Sequence, residues 1–128
     1  MACLCIALAP GCERDAELKA EAGQLSRAID ELRSAANETK PLPLERLRKL
    51  PCSHADTCSV QSTCVAAYEL FIGALDDVGE GKRSLSQGDG GMVPPLLREA
   101  AAKLERANGL TRKCTLAQGE LVRRFRLK

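Results

Sequence analysis

The sequence predicts an all-α protein, an antiparallel three- to four-helix bundle stapled by disulfides, and three observations support this fold class. Leu and Ala dominate the apolar residues, whereas Phe71, Phe125 and Tyr68 are the only aromatic residues and Val and Ile are scarce. Helices favour Ala, Leu, Glu, Lys and Arg, while strands favour β-branched and aromatic side chains. Apolar residues also recur at helical spacing, and Pro and Gly residues separate these stretches. The 128 residues fit one domain.

The first helix is predicted from a seam of apolar residues whose spacing alternates between four and three. Its members are Leu18, Ala22, Leu25, Ile29, Leu32 and Ala36. This spacing keeps the members on one face of the helix. Pro41 and Pro43 end this region, and we expect the link 38–52 to contain one short helical turn.

The second helix is predicted from a repeat of the same seam. Its members are Val60, Cys64, Ala67, Phe71, Ala74 and Val78. The stretch 84–91, SLSQGDGG, is rich in Gly and Ser and predicts a flexible loop after this helix. Each of the first two helices would extend about 35 Å at 1.5 Å per residue.

A third, shorter helix is predicted between two helix-boundary signals. Pro94 and Pro95 suit its first turn, and Asn108-Gly109 predicts its end. The apolar seam between these signals consists of Val93, Leu97, Ala100, Leu104 and Ala107.

The fourth helix has the weakest pattern, with Ala117, Leu121 and Phe125 as its apolar residues. Thr115 and Gln118 have the spacing of a capping box, in which two side chains satisfy backbone amides at a helix start. We therefore expect this helix to begin near Thr115, and Thr111 is the alternative start.

The N-terminal segment MACLCIALAPGC, residues 1–12, resembles the end of a bacterial lipoprotein signal peptide. In that class, small residues follow an apolar run and precede an invariant cysteine, which is acylated and becomes the mature N-terminus. The resemblance implies that 1–11 is a signal peptide, that Cys12 is the lipid attachment residue, and that 12–128 is a single helical domain. It also implies a periplasm-facing membrane lipoprotein of the bacterial cell envelope. The alternatives are a secreted protein, and a cytoplasmic protein whose N-terminal segment is no signal.

Cysteine counting agrees with export. The seven cysteines are Cys3, Cys5, Cys12, Cys52, Cys58, Cys64 and Cys114. Removal of 1–11 and acylation of Cys12 would leave four, which can form two disulfides in an oxidising compartment. In an up-down-up-down bundle the second and fourth helices start at the same end, which favours Cys64–Cys114 with Cys52–Cys58. The pairing Cys58–Cys114 with Cys52–Cys64 stays open.

A zinc site is the sharpest alternative to the disulfides. Cys52, His54, Cys58 and Cys64 lie close together in the sequence, and three thiolates with one imidazole would bind zinc. The chain would then be a soluble zinc-stabilised helical module. Structural zinc sites usually contain a Cys-x-x-Cys knuckle, which this sequence lacks, so we prefer disulfides and expect neither a metal nor a cofactor.

No motif in the sequence predicts catalysis. The stretch GEGKRS, 79–84, departs from a phosphate-binding loop at two positions. Asp76, five residues before Gly81, stands where the loop needs Gly, and Arg83 stands where Ser or Thr should follow Lys82. We expect no enzyme and no small-molecule substrate. The predicted role is structural or protein-interacting, with a lipid anchor in a membrane and with a protein partner or a second copy on the helix faces.

The C-terminal part of the chain is basic. Residues 98–128 contain nine Lys or Arg against three Glu, whereas the net charge of the whole chain is only +2. Cations are favoured at a helix C-terminus by the helix dipole, which is the preferred interpretation of RRFRLK, 123–128. Binding to anionic lipid is the alternative, and we expect no nucleic-acid partner.

Overall fold

A computed structural model describes residues 10–128 of the chain. Its elements are, in chain order, α1 (Pro10–Ser34), a 3₁₀ turn (Asn37–Thr39), α2 (Pro41–Lys49), α3 (Ala55–Ser86), a second 3₁₀ turn (Gly90–Met92) and α4 (Val93–Phe125). The described residues contain no strand and two disulfides, which confirms the predicted all-α, disulfide-stapled bundle. Residues 1–9 of the predicted signal segment, with Cys3 and Cys5, lie outside the described residues.

Helices α3 and α4 form an antiparallel hairpin about 48 Å long at 1.5 Å per residue. Gly88 in the connecting turn has a φ of 80°, a left-handed conformation that glycine adopts without a steric penalty. Pro94 and Pro95 lie in the first turn of α4, as predicted. Farther along the hairpin, Lys103 Nζ donates to Asp77 Oδ2 at 2.8 Å and ties the two helices together.

Helix α4 continues through Asn108-Gly109, so the predicted helix end there was wrong, and the predicted third and fourth helices are one. The physical reason is the seam that α4 presents to α3. Its buried members recur every seven residues and are Ala100, Ala107, Cys114 and Leu121. Packing along this seam outweighs the cost of a helical glycine, about 1 kcal/mol relative to alanine. Thr115 and Gln118 therefore lie inside a helix, and the predicted capping box was also wrong.

Helices α1 and α2 cover one half of the hairpin, which contains the start of α3 and the end of α4. We call this half the base. Helix α1 runs parallel to α3 and antiparallel to α4. Within the base, Glu21 bonds to Thr57, and farther up the Gln118 side chain donates to Ser26 O at 3.2 Å and accepts from Arg33 at 2.6 Å. The main core lies among these four helices and includes Ala22, Leu25, Ile29, Leu32, Leu44, Leu47, Val60, Cys64, Ala67, Tyr68, Cys114 and Leu121.

Lys40 fixes the end of α1. Its Nζ donates to the carbonyl oxygens of Leu32, Arg33 and Ala35 at 3.0, 3.1 and 2.6 Å, and the residue is only 6% exposed. The last carbonyls of a helix have no partner inside the helix and carry partial negative charge, so the ammonium group satisfies them. The chain then turns back into α2. The link 38–52 thus contains a nine-residue helix, which is longer than the single turn that the sequence predicted.

The other half of the hairpin, residues 73–106, is about 20 Å long, and we call it the arm. The turn between α1 and α2 borders its α3 side, where Asn37 and Pro41 line a cleft with Leu75 and Gly79. Its buried residues Ala74, Gly81, Leu96 and Ala100 lie outside the main core cluster. The arm is therefore a two-helix segment whose stability depends on one narrow seam rich in small residues.

Candidate functional site

Cys12 lies in the first turn of α1, exposed and without a disulfide partner. All residues from 11 to 17 are exposed, and from residue 11 onwards the first buried residue is Ala22. Glu21 lies level with the start of α3, so the turns before it extend beyond the base. The predicted attachment residue is therefore accessible, at the end of a helix that emerges from the bundle.

The four remaining cysteines in the described part of the chain form two disulfides, Cys52–Cys58 and Cys64–Cys114. Cys52–Cys58 joins the segment before α3 to the first turn of that helix, with Cα atoms 5.3 Å apart. Cys64 and Cys114 are fully buried, and their Cα atoms are 4.9 Å apart. This is the first of the two pairings weighed above. Its geometric reason differs from the one given there, since Cys114 lies inside α4, opposite Cys64 in the antiparallel hairpin.

Glu21 caps the start of α3 from a different helix, a contact that the sequence interpretation missed. Its carboxylate accepts from the backbone N–H groups of Ser53 and His54 at 3.0 and 3.3 Å and from the Thr57 hydroxyl. Burial raises the pKa of Glu21, but the hydrogen bonds from Thr57, Ser53 and His54 outweigh it and hold the pKa below its ordinary value. The ionised carboxylate thus satisfies amides at the positive end of the α3 dipole.

His54, the imidazole of the zinc hypothesis, lies beside this carboxylate, with Nδ1 3.3 Å from Glu21 Oε2. The three thiols that the hypothesis requires are in disulfides, and the described residues contain no group of three metal-binding side chains. A thiolate is the form that binds zinc, so the oxidised cysteines cannot join His54 in a site.

The Glu21 cluster also has the wrong order of groups for nucleophilic catalysis. A catalytic hydroxyl needs the imidazole between itself and the carboxylate, so that the imidazole can take its proton. Here the Thr57 hydroxyl donates directly to Glu21, and His54 contacts the same carboxylate from another side. The arrangement holds the start of a helix, and the imidazole does not lie where it could take the Thr57 proton.

An open cleft lies between the emerging turns of α1 and the start of α3. Its lining residues include Arg14, Asp15, His54, Asp56 and Arg124. Arg124 donates to Asp56 Oδ2 at 2.7 Å, and its guanidinium lies 5.0 Å from the Phe125 ring centroid. A second cation of the basic stretch 123–128, Arg123, lies 3.7 Å from Glu120 of the same helix. Two cations of this stretch are thus paired, and the cleft contains both signs of charge.

The arm carries the other surface of interest. Helix α3 is long and apolar enough to cross a membrane by length and composition alone, which is weak evidence in a helix that also forms part of a bundle core. Only 28% of the residues in its apolar window are buried. Much of its apolar surface is therefore exposed or half-buried, including Ile72 and Leu75 beside the turn between α1 and α2.

Comparisons with protein-family models, with curated proteins and with solved structures found no match to this chain.

Proposed function

We propose that this chain is a small lipoprotein of the bacterial cell envelope, anchored through acylated Cys12, with a structural or protein-interaction role and no catalysis. The observation that carries the proposal is the contrast among the cysteines: Cys12 is exposed and unpaired on the emerging end of α1, whereas the other four described cysteines are in disulfides. An acylated residue has to reach a bilayer without unfolding the domain, and the first turns of α1 allow this.

The disulfides support an oxidising destination. Disulfides persist in the periplasm and outside the cell, whereas cytosolic thiols are kept reduced. The bond between Cys64 and Cys114 is fully buried and crosses the main seam of the hairpin, so it belongs to the fold. A protein that requires this bond would fold after export, which agrees with a signal segment at 1–11.

The surface supports an interaction role. The described residues offer mixed-charge open clefts and exposed apolar side chains, among them Leu85 and Leu97 in the arm and Leu42 and Leu116 outside it. Exposed apolar surface of this kind is available to a partner. The periplasm-facing surface of a membrane is the proposed location, and a protein on that surface is the proposed partner.

The test is the intact mass of the protein isolated from the membranes of a bacterium that processes lipoproteins. We expect cleavage before Cys12 and the added mass of acyl chains on the new N-terminus. Cys12→Ser should abolish both changes, and an inhibitor of the lipoprotein signal peptidase should block cleavage.

A matched control moves the thiol by about one helical turn. Ala16 is exposed on α1 like Cys12, so the double variant Cys12→Ser/Ala16→Cys keeps an accessible cysteine without the preceding small residues of the signal class. This variant should stay unacylated. Acylation of the relocated cysteine would indicate unspecific thiol modification, and a mass that retains Met1 without acyl chains would refute the proposal.

A further inference from the structure

The arm exposes large apolar side chains on a segment only two helices thick. Leu85, Leu97 and Met92 are 59, 51 and 48% exposed, and all three lie in the arm or its terminal turn. The two other exposed large apolar side chains of the described residues, Leu42 and Leu116, lie outside the arm. Apolar side chains that gather in one part of a surface mark interaction sites. The arm also has a narrow seam of its own, so a partner that covers it would add to its stability.

The face of the arm that no other helix of the described residues covers continues the groove between α3 and α4 that α1 fills at the base. On α4, Gln118 contacts α1, and seven-residue spacing keeps residues on one face of a packed helix. The residues that follow Gln118 at this spacing towards the tip of the arm are Thr111, Leu104 and Leu97. On α3, Tyr68 faces Lys40, whose Nζ lies 5.9 Å from the ring centroid. The residues that follow Tyr68 at the same spacing are Leu75 and Lys82.

A cleft of about 370 Å³ opens where the turn between α1 and α2 meets this face. The α1–α2 turn contributes Asn37 and Pro41, and α3 contributes Ile72, Leu75 and Gly79 among others. We call this cleft the notch. It is open to solvent, and part of its α3 wall is apolar.

Three charged residues line the notch, Glu38 of the α1–α2 turn and Asp76 and Lys82 of α3, and the two on α3 are self-complementary about Gly79. Asp76 precedes Gly79 by three positions and Lys82 follows it by three, and all three residues line the notch. A second α3 that crosses antiparallel at Gly79 would place Asp76 of each copy opposite Lys82 of the other. Such reciprocity, in which residue i meets j and j meets i, is the property of a twofold interface. A helix that has no Cβ at the crossing point lets a second helix approach its backbone closely. The space beside Gly79 is open, because no atom lies within 4 Å of a Cβ built there.

The same twofold axis would bring the tip of each arm to the notch of the other. Ile72 lies seven positions before Gly79, and Ser86, at the end of α3, lies seven positions after it. The tip carries Leu85 and Met92, the exposed apolar side chains that the notch would receive. We infer that the occupant of this face is a second copy of the chain, bound arm to arm with α3 crossing α3 at Gly79. This inference goes beyond the proposed function, because it names one partner and its register.

The test measures the solution mass of the full chain with Cys3, Cys5 and Cys12 replaced by Ser, so that these thiols form no intermolecular disulfides. We expect a species of twice the 13.8 kDa chain mass in light scattering or sedimentation. Asp76→Lys and Lys82→Asp should each shift the mass towards the monomer, because each places like charges opposite one another. The double variant Asp76→Lys/Lys82→Asp should restore the dimer.

Gly79→Gln is the steric test. The added side chain meets no atom within the monomer, so helical circular dichroism and unfolding should be retained while the dimer is lost. Gly119→Gln is the matched control, since Gly119 is an exposed α4 residue away from the arm with equally open surroundings. It should leave the dimer intact.

The measurement covers concentrations up to about 0.1 mM, at which a dimer with a micromolar dissociation constant would be detected. A single 13.8 kDa species over this whole range would overturn the inference. So would a dimer that both single charge exchanges leave unchanged. Because these chains lack Cys12, the result is independent of acylation. Loss of the arm-to-arm dimer and loss of lipid attachment are therefore separate outcomes.

Discussion

The disulfide between Cys64 and Cys114 should contribute more stability than the one between Cys52 and Cys58. The first pair is 50 positions apart in the sequence and the second only six. On the chain-entropy model, closing loops of these lengths in the unfolded chain contributes about 4 and about 2 kcal/mol. The free energy of unfolding of a domain of this size is about 5–15 kcal/mol, so the contribution of the Cys64–Cys114 bond is a substantial share of it.

The perturbation is the double substitution Cys64→Ala/Cys114→Ala, and Cys52→Ala/Cys58→Ala is the matched control. The free energy of unfolding would be measured by denaturant titration followed by helical circular dichroism. The first variant should lose at least about 4 kcal/mol, because it also removes two sulfur atoms from the core. If it loses no more than the control, the bond does not act through the unfolded chain as argued. Reduction of the native protein without any fall in stability would refute the case for a disulfide-dependent fold.

Three further predictions concern single residues. Glu21→Gln should abolish an acid-dependent loss of stability. The ionised carboxylate stabilises the fold above its ordinary pKa of 4.5, and this contribution is lost as the pH falls through its lowered pKa in the folded protein. Denaturant titrations at a series of pH values would detect the loss. Gly109→Ala should raise the free energy of unfolding by about 0.5–1 kcal/mol, because the position is helical and the new Cβ meets no atom within 4 Å; a helix end at Gly109 would give a loss instead. Gln118→Leu should lower the free energy of unfolding by about 1–3 kcal/mol, because the buried Ser26 hydroxyl loses its partner and Arg33 loses an acceptor; an unchanged value in denaturant titration would contradict this role.

The sequence predicted the core faces better than the helix boundaries. Most members of the seams containing Ile29 and Cys64 are buried as expected, because apolar periodicity reflects packing directly. Leu18, Phe71 and Val78 are half-buried, and Ala36 is exposed beyond the end of α1. Asn108-Gly109 misled because a glycine inside a helix costs little compared with a continuous seam. The signal that would have corrected it was present: the buried seam residues recur at seven-residue spacing across this pair, from Ala100 through Ala107 and Cys114 to Leu121.

The polar contacts were beyond local sequence rules. Glu21 caps a helix that begins more than thirty positions later, and Gln118 contacts α1 across most of the chain. Capping signals relate residues within one turn, so they assigned Gln118 to a helix start instead. The arm was equally hidden, because the seams reveal which face of a helix is buried but not which neighbour covers each part of it.

Lys40 has a consequence for the length of the uncovered arm. By holding the final carbonyl oxygens of α1, it decides where that helix stops and α2 turns back, and thereby how much of the hairpin is left for another molecule. The same burial makes this amine inaccessible. Lys40 should therefore react with an amine-specific label only when the end of α1 opens. The rate at which Lys40 is labelled would then report the rate of this local opening.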